Sequence, residues 1–488
     1  MATSAERLSF DSSGRQTCAL FTPLPPLPTG VATYALRIVL LTRDIIDWRV
    51  FFSTGSDPSR LPADVTCAPI ADLRSGDVPG SRVFMLGNSP ECFEPARALL
   101  ELGGCGVFHE TVMHHMLRHC CLAEGRMDLY RRLLGFDYGP GAGQVEKRLS
   151  KSMPPEEYDT LLKRYPLIGS LVHASDPLVC LNQAAASVLG RLSGGRRVFV
   201  VGHPLDPIDG IAGPALPDDA PLAGMVGGWH PGRNVEAFME ALHILRTGGL
   251  DIRGALIGGG WPDGLPGWVA NTGRLDEPAY QGWIRRLSVA VDVRHPTCNE
   301  TSGSLLEVMR AGVPAVVTAS GPSSYLPSDC VVRIPAPPSP TALASAIRII
   351  LEDRALARAL SAAAVRHCSR ESFVERARSE WTRIAACRPE RAPAVRPGKS
   401  SLSAALHDPP PGFTLGSALD SEPISWAFEG MAALDPPEGR PYCLLTAWGS
   451  GRAGAKPLPK GPAVLRFEGR VVLEGRGRVS QVTWTERP

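Results

Sequence analysis

Short apolar runs alternate with helical periodicity along most of this chain, and glycine- or proline-rich turns separate them. The run TCALFT (17–22) ends at PLPPLPTG, and after Gly30 apolar residues recur at helical spacing. The same order returns at VFML (83–86), GVF (106–108) and LVCL (178–181), each followed by a helical stretch. Because strands joined by helices form parallel sheets, this alternation predicts an α/β fold that binds ligands at the carboxyl ends of its strands.

A second block of the same kind begins near residue 220. Its predicted strands are LAGMVGG (222–228), GALIGGG (254–260), VDVRHP (291–296) and VPAVVT (313–318). We therefore expect two Rossmann-like lobes that face a cleft, over residues 1–205 and 206–387. Residues 388–488 are expected to form a Pro-rich linker and a small tail, β or disordered, in which alternation over 462–486 indicates a β meander.

Composition excludes several classes of protein. Fifty-one basic and forty-nine acidic residues give a net charge of +2, so no nucleic-acid partner is indicated. The sequence contains no apolar run of the roughly 18 residues that a membrane span needs, so we expect at most peripheral membrane association. The N-terminus lacks the pattern of a signal peptide, and the twelve cysteines contain no CxxC pair. These features predict a cytoplasmic protein with reduced thiols.

The segment HETVMHHMLRHCC (109–121) holds four of the eleven histidines. A zinc-protease helix needs HExxH, and here the histidine after His109-Glu110 comes five positions later, at His114, off that helical face. His115 and His119 are four apart and share a face, so a metal site with a neighbouring cysteine stays open. We favour no metal, with His109 at a strand end and the other three histidines on the helix behind it.

The segment RHPTCNETSGSLLEVMRAGVPAVVT (294–318) carries the strongest signal for ligand binding. A strand is followed by a polar turn, and Gly303-Ser304 start a helix. Backbone N–H groups at a helix N-terminus bind phosphate, and a glycine there permits close approach. Glu307, one turn into the helix, could hold ribose hydroxyls. The same sequence pattern would also fit a helix that is capped by Thr301 or Ser302 and in which Glu307 is merely solvated.

Arg233 in GGWHPGRN supplies the context that favours ligand binding. It follows a Gly-rich turn after a predicted strand, where a guanidinium fork suits phosphate oxygens. Arg233, the helix start at Gly303 and Arg310 are expected to stabilise the charge of a bound diphosphate.

With these pieces, the chain resembles the family-4-type retaining glycosyltransferases (glycosyl transferases group 1), which have the two-lobed GT-B fold. The resemblance covers residues 17 to about 387 and rests on PPLPTGVATY, LGNSP, GVFHE, GGWHPGRN, TGRLDE and ETSGSLLEVMRAGVP. It implies a hexosyltransferase-type enzyme that needs neither cofactor nor metal. The donor would be a nucleotide-diphosphate sugar, and the acceptor a hydroxyl of an unknown glycan, lipid or small molecule.

The resemblance also implies roles for single residues. His109 would lie near the transferred sugar, and Glu300 would contact that sugar; we take these two as catalytic candidates. The candidate donor-binding residues are Gly30, Arg233, Asn234, Gly303, Ser304, Leu305 and Glu307.

The spacing of the two glutamates departs from the family pattern. Seven residues usually separate them, and six lie between Glu300 and Glu307. Either the loop is one residue shorter or Asn299 takes the first acidic position.

Two other functions share this fold class. One is a nucleotide-sugar epimerase-like enzyme or a non-catalytic nucleotide-sugar-binding protein. The other is a dinucleotide-dependent dehydrogenase, which is disfavoured because GALIGGGWPDG lacks the full GxGxxG with a following acidic residue.

Overall fold

The structure is a computed structural model that describes residues 11–12, 14–73, 78, 80–205, 220–369 and 373–387, together with short strands between 427 and 479. The described residues divide into two compact units. The first takes in the chain up to residue 181, residues 185–200 and the chain from residue 380 onward, and the second takes in residues 182–184 and 201–379. The predicted lobe boundary after residue 205 lies close to this division, and most of the predicted Pro-rich linker lies outside the described residues.

The first unit contains a seven-stranded parallel sheet in the order β3-β2-β1-β4-β5-β6-β7. Its strands are β1 (Gln16–Thr22), β2 (Ile46–Phe52), β3 (Thr66–Pro69), β4 (Arg82–Leu86), β5 (Gly104–Phe108), β6 (Ser175–Cys180) and β7 (Val198–Val200). The helices up to residue 200 are α1 (Gly30–Thr42), α2 (Phe93–Leu102), α3 (His114–Ala123), α4 (Met127–Tyr138), α5 (Ala142–Leu149), α6 (Pro155–Arg164), α7 (Gly169–Ala174) and α8 (Gln183–Leu192).

The second unit contains a six-stranded parallel sheet in the order β10-β9-β8-β11-β12-β13. Its strands are β8 (Leu222–Val226), β9 (Arg253–Ile257), β10 (Val269–Asn271), β11 (Val289–Asp292), β12 (Ala315–Thr318) and β13 (Val332–Ile334). Its helices are α9 (Val235–Thr247), α10 (Glu277–Arg286), α11 (Gly303–Arg310), α12 (Pro340–Glu352), α13 (Arg354–Ser369) and α14 (Phe373–Ala385). The last residues of α14, from residue 380, belong to the first unit.

Both sheets reverse their strand order at their first strand. In the first unit β1 lies between β2 and β4, and in the second unit β8 lies between β9 and β11. This is the doubly wound Rossmann order, which leaves a crevice for ligands where the order reverses. The prediction of an α/β fold with two Rossmann-like units is thereby confirmed.

Burial explains why the strands read as nearly continuous apolar runs. Every residue of β5 and β8 is buried, as expected for parallel strands with helices on both faces. In the first unit the ring of Phe21 stacks on Phe84 at 4.4 Å and on Phe51 at 4.9 Å between centroids. In the second unit separate apolar clusters cover the two faces of the sheet, one containing Phe238 of α9 and the other Leu305 of α11.

The last helix supports the first unit through its final turns. Trp381 is fully buried, with its ring 6.1 Å from that of Trp48 and 6.5 Å from that of Tyr34. The hydroxyl of Ser81 donates to the carbonyl of Ala385 at 2.6 Å. This last helix covers Phe373–Ala385.

The described strands of the tail are antiparallel, in agreement with the predicted β character. They are β14 (Ala427–Ala432), β15 (Cys443–Trp448), β16 (Arg452–Ala453), β17 (Lys456–Pro457), β18 (Pro462–Phe467), β19 (Leu473–Glu474) and β20 (Arg478–Val479). Strands β14, β15 and β18 form one sheet, and β19 pairs with β20. Among the described residues, no helix combines the length and apolar character that a membrane crossing requires.

His114 is a structural residue of the first unit. It is fully buried at the start of α3, where its Nδ1 donates to the carbonyl of Tyr165 and its Nε2 accepts from the hydroxyl of Tyr130 at 2.8 Å. Burial lowers the pKa of His114 to about 4, so the ring is neutral at neutral pH. This confirms the prediction that His114 lies on the helix behind the strand.

We predict that His114 makes the first unit unstable in acid. Because its folded-state pKa lies below the ordinary value near 6.5, its contribution is complete above about pH 6.5 and is lost as the pH falls toward 4. The loss should reach about 3 kcal/mol, at about 1.4 kcal/mol per pKa unit. In His114→Gln, whose amide can serve both partners, urea unfolding followed by circular dichroism should depend less steeply on pH between 6.5 and 4. Equal pH dependence of the two proteins would contradict the assignment.

Candidate functional site

The segments that carry the predicted donor residues of the second unit follow β8 and β11, the strands between which the order of the sheet reverses. Gly227 follows β8 and Gly258 follows β9, and both have positive φ, at 108° and 124°. A Cβ on Gly258 would lie 2.5 Å from the carbonyl oxygen of Gly227, and a Cβ on Gly227 would lie 2.4 Å from Nη2 of Arg233. Glycine is therefore required at both positions, because the two loops and the guanidinium touch.

Arg233 lies at the base of this site and is only 4% exposed. Its Nη1 donates to the carbonyl of Val226 at 2.6 Å and lies 3.8 Å from Oδ1 of Asp292. Its Nε is buried and has no hydrogen-bond partner in the structure. Burial and the nearby Arg294 lower the pKa of Arg233 to about 10, which keeps it protonated at neutral pH.

Asn234 holds the arginine in place. It adopts the left-handed conformation at φ 54° and precedes α9. Its side-chain amide donates to the carbonyls of Gly232, Val293 and His295, each at 2.9 Å. The amide of Asn234 therefore joins the Arg233 turn to the segment after β11, and its predicted donor contact stays a prediction.

A buried charge network joins β11 to the loop that follows it. Asp292 is 7% exposed and accepts from Nε of Arg294 at 3.0 Å. Arg294 also donates to Glu300 at 3.3 Å and to the hydroxyl of Ser302 at 2.9 Å. Burial opposes the charged form of Asp292, but Arg294 and Arg233 hold its pKa below the usual value.

Asp292 and Arg294 are absent from the predicted site. The available signal was a carboxylate and a guanidinium at the very end of an apolar run, VDVR. His230 was missed as well; burial, Arg294 and Arg233 lower its pKa to about 4, so its imidazole is neutral beside the two arginines.

Glu300 is held firmly within its own loop. Oε2 accepts from the hydroxyl of Thr297 at 2.9 Å and from the backbone N–H of Cys298 at 2.7 Å, while Arg294 occupies Oε1. Burial opposes ionisation, yet Arg294 and these hydrogen bonds keep the pKa of Glu300 below its usual value. A carboxylate so engaged is a poor proton acceptor at neutral pH.

Asn299, the other candidate for the first acidic position, has left-handed backbone at φ 61°. Its N–H donates to the hydroxyl of Thr297 at 3.0 Å, and its carbonyl accepts from the amide of Asn182 at 2.8 Å. Asn182 also donates to the hydroxyl of Thr301 at 2.9 Å, so one side chain fixes both ends of the polar turn.

The N-terminus of α11 begins at Gly303, as predicted, with Ser302 as the cap. The hydroxyl of Ser302 accepts from the N–H of Leu305 at 3.2 Å and lies 3.3 Å from that of Ser304. Leu305 was predicted to bind the donor, but its side chain packs in the apolar cluster and its N–H serves the cap. A Cβ on Gly303 would lie 3.2 Å from Nε2 of His203, so this glycine is closely approached by an imidazole.

Glu307 is tied to α10 and is not merely solvated. The hydroxyl of Tyr280 donates to Oε2 of Glu307 at 2.8 Å. Burial and the Glu307 charge raise the pKa of Tyr280 well above its usual value, so it stays a donor. Arg310, expected to assist the diphosphate, lies in the last turn of the eight-residue helix α11. It is seven residues beyond Gly303, which places it roughly 10 Å along the helix axis at 1.5 Å per residue.

Gly30 and His109 belong to the first unit. Gly30 is the first residue of α1, whose cap Thr29 accepts from the N–H of Val31 at 3.3 Å. A Cβ on Gly30 would meet nothing within 4 Å, so the fold does not require glycine there. His109 directly follows β5, donates its backbone N–H to Leu86 at 2.9 Å and meets the ring of Tyr34 edge-on at 4.8 Å.

The remaining histidines of the segment lie on α3, as predicted. The rings of His115 and His119 are parallel, 6.0 Å apart, so the two residues share a helical face. Burial and His119 lower the pKa of His115. Within the part of the chain that the structure describes, no cluster of three or more His, Cys, Asp or Glu side chains could hold a metal ion.

Neither a protein-family model nor a curated protein matches the chain. Solved structures do match. Sucrose-phosphate synthase from Thermosynechococcus elongatus is 17% identical, with a TM-score of 0.47 over 76% of this chain and 96% of that one. HepE from Anabaena in complex with UDP-glucose is 13% identical, with a TM-score of 0.49 over 75% and 98%.

A further match is WaaG, a glycosyltransferase involved in lipopolysaccharide biosynthesis, which is 14% identical with a TM-score of 0.46 over 76% and 99% of the two chains. The chain spans 46% of the length of TarM, which it also matches. A sequence identity of 13–17% does not show that this chain has the activity of those proteins.

Proposed function

We propose that this chain is a retaining glycosyltransferase of the hexosyltransferase type. It transfers a sugar from a nucleotide-diphosphate sugar to an acceptor hydroxyl, without a metal ion. The observation that carries the proposal is Arg233, a buried guanidinium with an unpaired Nε at the ligand-binding edge of a doubly wound sheet. The acceptor is a glycan, a lipid or a small molecule.

The buried charges of the site nearly cancel, so we propose that the diphosphate is stabilised by individual N–H hydrogen-bond donors and not by a large net positive charge. Arg233 and Arg294 are matched by Asp292 and Glu300; the first three side chains are at most 13% exposed, and Glu300 is 22% exposed. Negative charge that develops on a leaving diphosphate would be stabilised by fixed N–H groups in a site of low dielectric. Arg233 and the N-terminus of α11 supply such groups.

Glu307 is proposed to bind the ribose of the donor. The hydroxyl of Tyr280 donates to Oε2 of Glu307, and a carboxylate can accept several hydrogen bonds at once, as binding of ribose hydroxyls requires. Tyr280 fixes the rotamer of Glu307, which reduces the entropy lost when the ribose binds.

His109 and Glu300 are proposed to act on the transferred sugar. His109 follows a strand at the ligand-binding edge of the first sheet, and its ring is held against Tyr34. Glu300 is ionised and fixed by three hydrogen bonds, which suits electrostatic stabilisation of a positively charged sugar better than proton transfer.

We predict that Arg233→Met loses nucleotide binding and keeps the fold. Removing one partner of a buried charged contact costs 2–5 kcal/mol, which corresponds to at least about 30-fold weaker binding. A thermal-shift screen with UDP, GDP, ADP, CDP and TDP, and with their sugar conjugates, should find a ligand that stabilises the unaltered protein. Calorimetric titration of that ligand then gives the loss in Arg233→Met.

Arg310→Met is the matched control for Arg233→Met, because Arg310 lies at the C-terminal end of α11, away from the helix start at Gly303. It should bind the nucleotide as the unaltered protein does, and circular dichroism should confirm that both variants are folded. The proposal fails if no nucleotide raises the melting temperature of the unaltered protein, or if Arg233→Met binds normally.

Turnover should depend on His109 more than binding does. With a donor found in the screen, His109→Ala should lower kcat on the order of 100-fold, as loss of one transition-state contact does, with little change in the donor KM. Release of free nucleoside diphosphate measures the rate. His119→Ala, which alters an exposed histidine of the same segment, should match the unaltered enzyme.

An unchanged kcat in His109→Ala would remove that residue from the site. Binding of a nucleotide sugar without any release of nucleoside diphosphate would instead support the binding-only alternative. Conversion of the bound sugar to its epimer would support the epimerase-like one.

A further inference from the structure

In the described part of the second unit, two buried side-chain N–H donors have no hydrogen-bond partner. They are Nε of Arg233 and the indole Nε1 of Trp261. Arg233 is 4% exposed and Trp261 is 5% exposed, so bulk water does not reach either group. A buried donor left unpaired costs about 1–3 kcal/mol, so a pair of them indicates a place built for an acceptor.

The two donors belong to side chains that touch. The guanidinium carbon of Arg233 lies 5.6 Å from the centroid of the Trp261 ring. One oxygen that accepts from two N–H groups at ordinary length joins nitrogens up to roughly 6 Å apart, so donors on two neighbouring side chains can share one acceptor. Trp261 follows Gly258–Gly260, the loop after β9 that packs against Gly227.

Among the residues that the structure describes, no protein group accepts from either N–H. The guanidinium reaches Val226 through Nη1, and its approach to Asp292 is 3.8 Å, also through Nη1. Asp292 itself is occupied by Arg294 at 3.0 Å. An indole N–H is a donor only, so its partner must be an oxygen or a similar acceptor brought by a ligand or a water.

We propose that the indole N–H of Trp261 and the Nε–H of Arg233 together bind one phosphate oxygen of the donor diphosphate. This rests on the proposed function and adds Trp261 as a binding residue for the diphosphate. The indole contributes a directed donor without adding charge to a site whose arginines are already balanced by carboxylates. It also stacks on the guanidinium, which keeps the Arg233 fork in position.

Trp261→Phe tests the N–H with little change in packing, because phenylalanine keeps an aromatic ring beside Arg233. The dissociation constants of the stabilising nucleoside diphosphate and of inorganic pyrophosphate should each rise about tenfold, as expected for the loss of a hydrogen bond to a charged group. Both are measured by titration calorimetry on the full chain. Loss of the N–H should not lower the melting temperature of the ligand-free protein, because this donor has no hydrogen-bond partner in the structure.

Trp268→Phe is the matched control. Trp268 lies in the same unit and carries a similar stack, with the guanidinium carbon of Arg246 5.2 Å from its ring centroid. That arginine is satisfied by Asp251 and the carbonyl of Ile252, so the pair offers no second site. The variant should bind both ligands as the unaltered protein does.

Three results would overturn the inference. Unchanged affinities in Trp261→Phe, with loss of binding in Arg233→Met, would show that a water satisfies the indole and would leave the proposed function standing. Weaker nucleotide binding with unchanged pyrophosphate binding would place the indole on the nucleoside. No binding of any nucleoside diphosphate to the unaltered protein would overturn the proposed function and this inference together.

Discussion

The second unit depends on one buried carboxylate, Asp292, at the end of a central strand. It lies between Arg294 at 3.0 Å and Arg233 at 3.8 Å, and all three side chains are largely withdrawn from water. Removing Asp292 would deprive both buried guanidinium groups of this carboxylate, and breaking a buried ion pair in that way typically costs about 3–5 kcal/mol. The orientation of both arginines therefore follows from the position of β11 in the sheet.

From this carboxylate the order of the site extends outward along short hydrogen bonds. Arg294 reaches Glu300 and Ser302, Glu300 closes the turn at Thr297 and Cys298, and Ser302 caps α11. The turn, the helix start and the buried arginine are thus positioned by a single network before any ligand binds. Such preorganisation is what electrostatic stabilisation of a developing diphosphate charge requires.

Local patterns predicted the fold class and the ends of the elements that carry the site. The apolar runs, the glycine turns and the caps gave α1 at Gly30, α11 at Gly303 and His109 directly after β5, all as found. The sequence patterns did not separate the four helices α4 to α7 from one another, because periodicity alone cannot delimit segments of 6–12 residues. They persist through packing on the sheet, as shown by the buried side chains of Leu133 and Leu162.

The sequence by itself determined that this chain forms parallel α/β sheets, that Arg233 and Gly303 lie beside the starts of helices, and that Glu307 lies one turn into α11, since strand, helix and cap signals act over a few residues. Only the tertiary structure decided the partners of those side chains. Tyr280 holds Glu307 and Trp261 stacks on Arg233, whereas Leu305 is buried in the core and Arg310 lies at the far end of α11. These pairings join residues about 30 positions apart along the chain, and sheet order, not local spacing, brings such residues together.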